Sequence, residues 1–294
     1  MIHIEYLDFI MDINVDDGMN ISYLSWKTKT LIKGDFQRQS QGHTYGMPLM
    51  FPTPNRTRNN RYRYKGKEYA AKMHGLFRNL PFMIVHNSEG AGDYRVTGAL
   101  KWDASYEEFE KYPFECILKI HIIIQLDRLI YQYEITNIGE ASLPYGFGIH
   151  PFFENQRGDA KIMTEAKKIL ESQNSINTGE IQEVKKTDYD LSRFKPVSAL
   201  KLDTVYMMEN NREKLFEVAV IQWDDYQLSM RCSNDFSYLV VYTPENYDKF
   251  CIEPQTCSID AFNLYDKGYK EVSGVQEVGK NETKSGTIQF ILSK

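Results

Sequence analysis

The chain has 294 residues, of which 42% are hydrophobic and 26% charged, a globular composition that excludes a disordered, collagen-like or low-complexity polymer. Acidic residues outnumber basic ones 40 to 35, for a net charge of −5, which argues against a general nucleic-acid binder. A chain of this length can bury a substantial core without disulfides or metals. The opening segment, Met1 to Asn20, carries acids inside its apolar run and lacks a basic leader, so it does not read as a secretory signal. No apolar run approaches the ~18–20 residues of a membrane span. These features predict a soluble, cytoplasmic protein with neither a membrane nor a nucleic-acid partner, either a monomer or a homodimer. Further along, Ser105–Tyr112 reads as one or two helical turns. Residues 116–137 carry the strongest local pattern: two β-rich runs flank a two-residue connection at Asp127-Arg128, predicting a hairpin, and Asn137-Ile138-Gly139 makes a further turn. Ala160–Gln173 looks helical by propensity. Four more short β-rich runs follow, at 218–223, 226–232, 238–243 and 287–292, separated by turn residues. Short strands at such spacing predict a sandwich or barrel. No linker or solenoid repeat divides the chain, so one domain over 1–294 is expected.

Four cysteines, Cys116, Cys232, Cys251 and Cys257, form no C-x-x-C pair, which predicts buried free thiols and no metal centre. Four other segments carry chemistry. The first runs from Asn55 to Tyr64 and holds four Arg, three Asn and two Tyr. Guanidinium and amide groups offer forks of donors to hydroxyl or phosphate oxygens, and Tyr rings offer flat faces to a sugar. A solvated loop is the plain alternative for any single Arg. The second segment is Met73 to Phe82, where His74 precedes Gly75 and a ligand can approach closely. The third is Pro144 to Phe153, where glycines, prolines and aromatics surround His150 in what resembles a pocket lining. His3, His43, His86 and His121 lack such settings and read as structural or surface residues. The fourth is Cys251 to Thr256, where Glu253 stands between an apolar pair and a proline, a place where burial tunes proton affinity. One carboxylate and two histidines favour acid–base chemistry on a neutral organic substrate; no phosphate loop, nucleophile elbow or metal-ligand spacing accompanies them.

In their order these segments resemble the aldose 1-epimerase, or galactose mutarotase-like, family. Asn55-Arg56 with Gly66-Lys67-Glu68-Tyr69, then His74-Gly75, then Asn137-Ile138-Gly139 with the stretch to His150, resemble successive family motifs. Asn177-Thr178-Gly179, Leu202 to Tyr206, Tyr242-Thr243-Pro244, Cys251 to Thr256 and Gly279 to Thr283 continue the series. The resemblance covers residues ~50–294 and is carried by the joint order of short motifs. It implies an all-β fold, an antiparallel β-supersandwich with few short helices, and so turns the apparent helix at 160–173 into strand and loop. It implies sugar anomer interconversion without cofactor or metal. Glu253 would be the base on the anomeric hydroxyl, His150 the acid to the ring oxygen, and His74 an assisting donor. Arg56 and Asp203 would hold sugar hydroxyls, with Asn55 and Arg78 also binding substrate. The stretch His74 to Phe82 lacks the second glycine of the usual His-Gly-Gly and is similar to the form in the hexose-6-phosphate mutarotase branch. Arg78 and the arginines at 56–63 would then serve a phosphorylated sugar. A sugar-binding or regulatory protein on the same fold is the further alternative.

Overall fold

The structure, a computed structural model, describes residues 1–209, 213–245 and 247–294. Strands dominate, and the named ladders are antiparallel; among the described residues they form one sheet of 12 strands, one of nine and two small pairs. The larger sheet starts as a meander, Ile2–Tyr6, Phe9–Asn14, Asn20–Trp26 and Lys29–Lys33, and continues through Phe152–Glu154 to Lys249–Gln255. Beyond that lie Tyr238–Tyr242, Asp203–Met207, Lys168–Gln173 and Ile176–Glu183. The nine-stranded sheet is built around Thr283–Ser293, Arg128–Asn137, Cys116–Gln125 and Tyr94–Trp102.

One apolar core joins the two sheets. The hairpin shows why: along Arg128–Asn137 every second residue is buried, the alternation that a two-faced strand requires. Leu129, Tyr131, Tyr133 and Ile135 point into the core, as do Leu118, Ile120 and Ile122 of its partner. From the larger sheet Phe153 meets Phe290 across the gap, with ring centroids 6.2 Å apart. The expected all-β sandwich is therefore present, with the short strands at 218–223, 226–232, 238–243 and 287–292 all in place to within a few residues.

Two local expectations change. The hairpin turn is Leu126-Asp127, because Gln125 pairs with Arg128 and takes Arg128 into the ladder. The helix-favouring segment at 160–173 forms two strands, Lys161–Met163 and Lys168–Gln173, as the family resemblance implied. Ile162, Ile169 and Leu170 bury there as strand residues, so pairing and packing override propensity. Ser105–Tyr112 contains a single short turn at Phe109–Lys111. All four cysteines are buried and free.

Candidate active site

The strand Lys249–Gln255 is buried along its whole length. Side chains alternate across a strand, so its two faces differ in chemistry. Phe250 and Ile252 join the core. The opposite face carries Lys249, Cys251, Glu253 and Gln255, a buried polar row. Next to it runs the segment containing His150. Gly148 pairs with Gln255 and Phe152 with Cys251, so the same register sets His150 opposite Glu253. The gap between them closes to 3.4 Å from His150 Nε2 to Glu253 Oε1. On the other flank Tyr242 lies opposite both Cys251 and Asp203. Neighbouring strands thus deliver Glu253, Tyr242 and Asp203 to one place, and the break between Gly148–Ile149 and Phe152–Glu154 delivers His150.

Loops supply the rest. Leu76 and Phe77 donate their amides to the Phe51 carbonyl at 2.8 and 3.1 Å, and the His74 amide donates to the Asn55 carbonyl at 2.8 Å. This ties the Asn55-Arg56 loop to the His74–Arg78 segment. Gly75 is demanded by that contact: its φ is +85°, and a Cβ there would stand 2.1 Å from the Phe51 oxygen. His74 itself adopts φ 64°, a strained left-handed position for a residue with a side chain. Its ring meets that of His150 edge-on at 5.2 Å, and His150 stacks on Phe152 at 4.6 Å. The result is a cavity of about 190 Å³ lined by Asn55, Arg56, His74, Arg78, His150, Asp203 and Glu253, with a rim from Arg38 and Gly42 to Thr44.

Burial governs the electrostatics. Glu253 is 1% exposed and His150 5%. Burial pushes the Glu253 carboxyl well above the usual carboxylate range, and the Asp203 charge adds to it; Asn55, Gln255 and Arg56 act the other way. Burial likewise pulls His150 down to about 3, reinforced by the positive charges of Arg38, Arg78 and Arg56. His74 is held well below the histidine range by burial, then by His150, Arg78 and Arg56. A carboxyl and an imidazole in contact, each driven toward its neutral form, rest as a neutral pair, and moving the proton from one to the other needs a ligand that compensates the charges created. His74 Nδ1, His150 Nδ1 and Gln255 Oε1 are buried without a hydrogen-bond partner among the described residues, the kind of unmet polar demand that collects at functional sites. His150, Cys251 and Glu253 bring one donor atom each within 4.8 Å of one another. Cys251 lies outside the cavity lining, and burial holds its thiol well above the usual range, so this trio suits proton transfer better than cation binding.

The aldose 1-epimerase family model matches residues 23–272, most of the chain. This protein belongs to the aldose 1-epimerase family. It is similar to the uncharacterized protein YihR of Escherichia coli, 23% identical over 225 residues that cover 73% of this chain and 71% of that one. Among solved structures it is similar to a galactose mutarotase-like protein of Clostridium acetobutylicum, with TM-score 0.88 and 19% identity over 99% of this chain and 94% of that one. It is also similar to a galactose 1-epimerase of Lactobacillus acidophilus, with TM-score 0.77 and 13% identity over 99% and 93%. At such identities the structural matches establish the galactose mutarotase-like fold.

All seven site residues expected from the family resemblance line the one cavity. The arginine cluster does not arrive as a unit. Arg56 lines the cavity, 3.5 Å from Asp203, but Arg58 pairs with Asp260, Arg61 with Glu68 and Arg63 with Asp266. Those three arginines are exposed residues engaged by local carboxylates and so are not placed to meet a phosphorylated sugar in the cavity. Ser175 donates to Asp203 Oδ2 at 3.0 Å and fixes that carboxylate. Of the four histidines read as structural or surface, His43 is exposed yet lines the cavity rim. Arg38 was not foreseen at all. It lies in the short helix Phe36–Ser40 capped by Asp35, and its Nε donates to the Thr44 carbonyl on the cavity rim at 3.0 Å. No helix among the described residues is long and apolar enough to cross a membrane.

Proposed function

We propose that this protein is a mutarotase that interconverts the α and β anomers of an aldose by acid–base ring opening and closure. The observation carrying this reading is the His150–Glu253 contact of 3.4 Å at a cavity that also gathers Arg56, His74 and Asp203.

The chemistry needs one proton removed and one delivered. The resting pair is neutral, a carboxyl beside an imidazole. Moving one proton across the contact yields the carboxylate and imidazolium, a state that sugar hydroxyls hydrogen-bonding to Glu253 stabilise. Glu253 then takes the proton of the anomeric hydroxyl. The O1 electrons form the C1=O1 bond, the C1–O5 bond breaks, and O5 takes the His150 proton. The free aldehyde turns about C1–C2. O5 attacks the other face of C1 while both protons return. Atoms and charge balance without a cofactor. His74 donates toward the ring oxygen, and Asn55, Arg56, Arg78 and Asp203 hold the sugar so that the reacting atoms stay aligned.

The direct experiment is anomer exchange by polarimetry or saturation-transfer NMR, on glucose, galactose and xylose. Acceleration over the spontaneous rate is expected for at least one aldose. A folded protein that binds a sugar without accelerating exchange would overturn catalysis in favour of a binding role.

A further inference from the structure

The two oxygens of the Glu253 carboxyl have different partners. Oε1 faces His150 Nε2 at 3.4 Å, and Oε2 accepts from the side-chain amide of Gln255 at 3.1 Å. Gln255 stands two residues further along the same strand, so both side chains leave the same face. It is 0% exposed and does not line the cavity. It therefore touches Glu253 but not a ligand seated beside it.

The neighbouring strand makes room for this amide. Gly148 lies opposite Gln255, and a Cβ on Gly148 would stand 2.8 Å from Gln255 Cγ. The amide directs its donor at Glu253, while its Oε1 is buried with no hydrogen-bond partner among the described residues. An unmet buried acceptor costs stability, and such groups collect where a function calls for them. A carboxyl oxygen that accepts from an N–H does not donate its own proton along that line. The Gln255 donor thus leaves the acid proton to Oε1, on the side of His150 Nε2.

We infer that Gln255 is a positioning residue that makes Oε1 the single working oxygen of Glu253. This deepens the mutarotase reading and rests on it. Oε1 hands its proton to His150 Nε2 while Oε2 stays tied to Gln255. The negative charge left on the carboxylate is met by an N–H already in place. Oε1 then takes the proton of the anomeric hydroxyl as Nε2 delivers its own to O5. O1 and O5 are bound to the same carbon, so a base atom and an acid atom in contact match them. Each proton leaves one atom and arrives at another, and the charge balances. Without the amide, the acid proton gains a second resting place on Oε2, turned away from His150.

The test is the pH dependence of kcat/KM in the wild type, Gln255→Met and Gln255→Glu. The alkaline limb marks loss of the pair's one proton, which leaves Glu253 charged. The Gln255 donor favours that charged form. Gln255→Met should therefore move the alkaline limb up by about one pH unit or more and lower kcat by about tenfold, with KM little changed. The acid limb marks a second proton, taken by His150 while Glu253 is neutral, so it should stay in place. A merely structural change that let water in would do the reverse, lowering the alkaline limb and raising the acid limb toward ordinary values. The other titratable and charged groups around the pair, His74, Asp203, Tyr242, Cys251, Arg38, Arg56 and Arg78, are the same in every variant. Gln255→Glu keeps the shape but offers a donor only while its carboxyl is protonated. Its rate should approach the wild type's at low pH and fall away as pH rises. Unmoved or converging limbs in folded Gln255→Met overturn the inference and leave the mutarotase reading intact. Should Gln255→Met fail to fold, Gln255→Glu decides alone, and a profile parallel to the wild type's overturns the inference. Should no sugar be turned over, the mutarotase reading fails and the carboxyl itself is titrated by 13C NMR, its signal assigned by loss in Glu253→Gln. A midpoint raised in Gln255→Met would then support the hold on Oε2, and an unmoved or lowered one would overturn it.

Discussion

The hairpin Cys116–Gln125 with Arg128–Asn137 and the strand Lys249–Gln255 are both long β-segments bordering the same core, yet they bury differently. The hairpin alternates, with one face in the core and a half-covered polar face turned outward. Lys249–Gln255 is buried on both faces, and one of those faces is polar. Burying Lys, Glu and Gln side chains costs free energy unless each finds a partner. The hairpin is therefore where the sequence secures stability, and the buried polar strand is where it commits stability to chemistry. Substitutions should separate the two roles.

The largest effect belongs to Glu253. Glu253→Gln should lower the anomerisation rate by about 10²–10⁴-fold with sugar affinity little changed, because a positioned acid–base group contributes that much. Calorimetric titration beside NMR exchange checks it; a parallel collapse of binding would make Glu253 a holding residue. At the other end of the same strand, Lys249 pairs with Glu154 in the interior, and both are under 10% exposed. Lys249→Met strands the Glu154 carboxylate and should cost about 3–5 kcal/mol in denaturant unfolding. On the hairpin, Ile135→Ala should cost about 2–5 kcal/mol through cavity formation, yet leave the rate per folded molecule unaltered. A slower folded Ile135→Ala enzyme would dissolve the division between the regions.

A subtler test uses pH. His150 is pulled down to about 3 and Glu253 pushed up, so the pair keeps its single working proton across the interval between them. The kcat/KM profile should be flat through pH 6.5, where an ordinary imidazole titrates, with the acid limb well below it. Stability follows the sign of the histidine shift. Below pH 6.5 the unfolded chain takes up protons that buried His150 and His74 refuse, so stability declines as pH falls from 6.5 toward 3. A rate limb centred at 6.5 would show that the imidazole is not excluded from water. The smallest effect is expected on the outward face of the hairpin. Lys119→Gln should change unfolding free energy by less than about 0.5 kcal/mol and leave exchange unaltered.

The same contrast explains what the sequence made legible. Alternation along 116–137 announces a two-faced hairpin, and only the turn shifts by one residue, because Arg128 pairs before the chain reverses. The segment 160–173 could not be read from local preference, since its strand state depends on partners at 195–196, 203–207 and 216–222. The motif residues Glu253, His150 and His74 were legible as chemistry because glycine, proline and aromatic neighbours set them apart. Arg38 carries no such local mark. Its place at the cleft is made by rings of Phe152 and Tyr247 far along the chain. Conversely, Arg58, Arg61 and Arg63 stand out in the sequence but meet carboxylates that only the fold brings near.

His150 lies between Gly148–Ile149 and Phe152–Glu154, two short strands that both pair with the strand carrying Glu253, so the ladders on either side hold it opposite that residue. The reach between proton donor and acceptor is thus a dimension of the backbone, and it inherits the stiffness of the sheet. The short helix that carries Arg38 and the loops that carry Arg56 and His43 have no such ruler. Drift in those loops across generations of sequences would retune which sugar is admitted, while the stroke length of the proton stays as built.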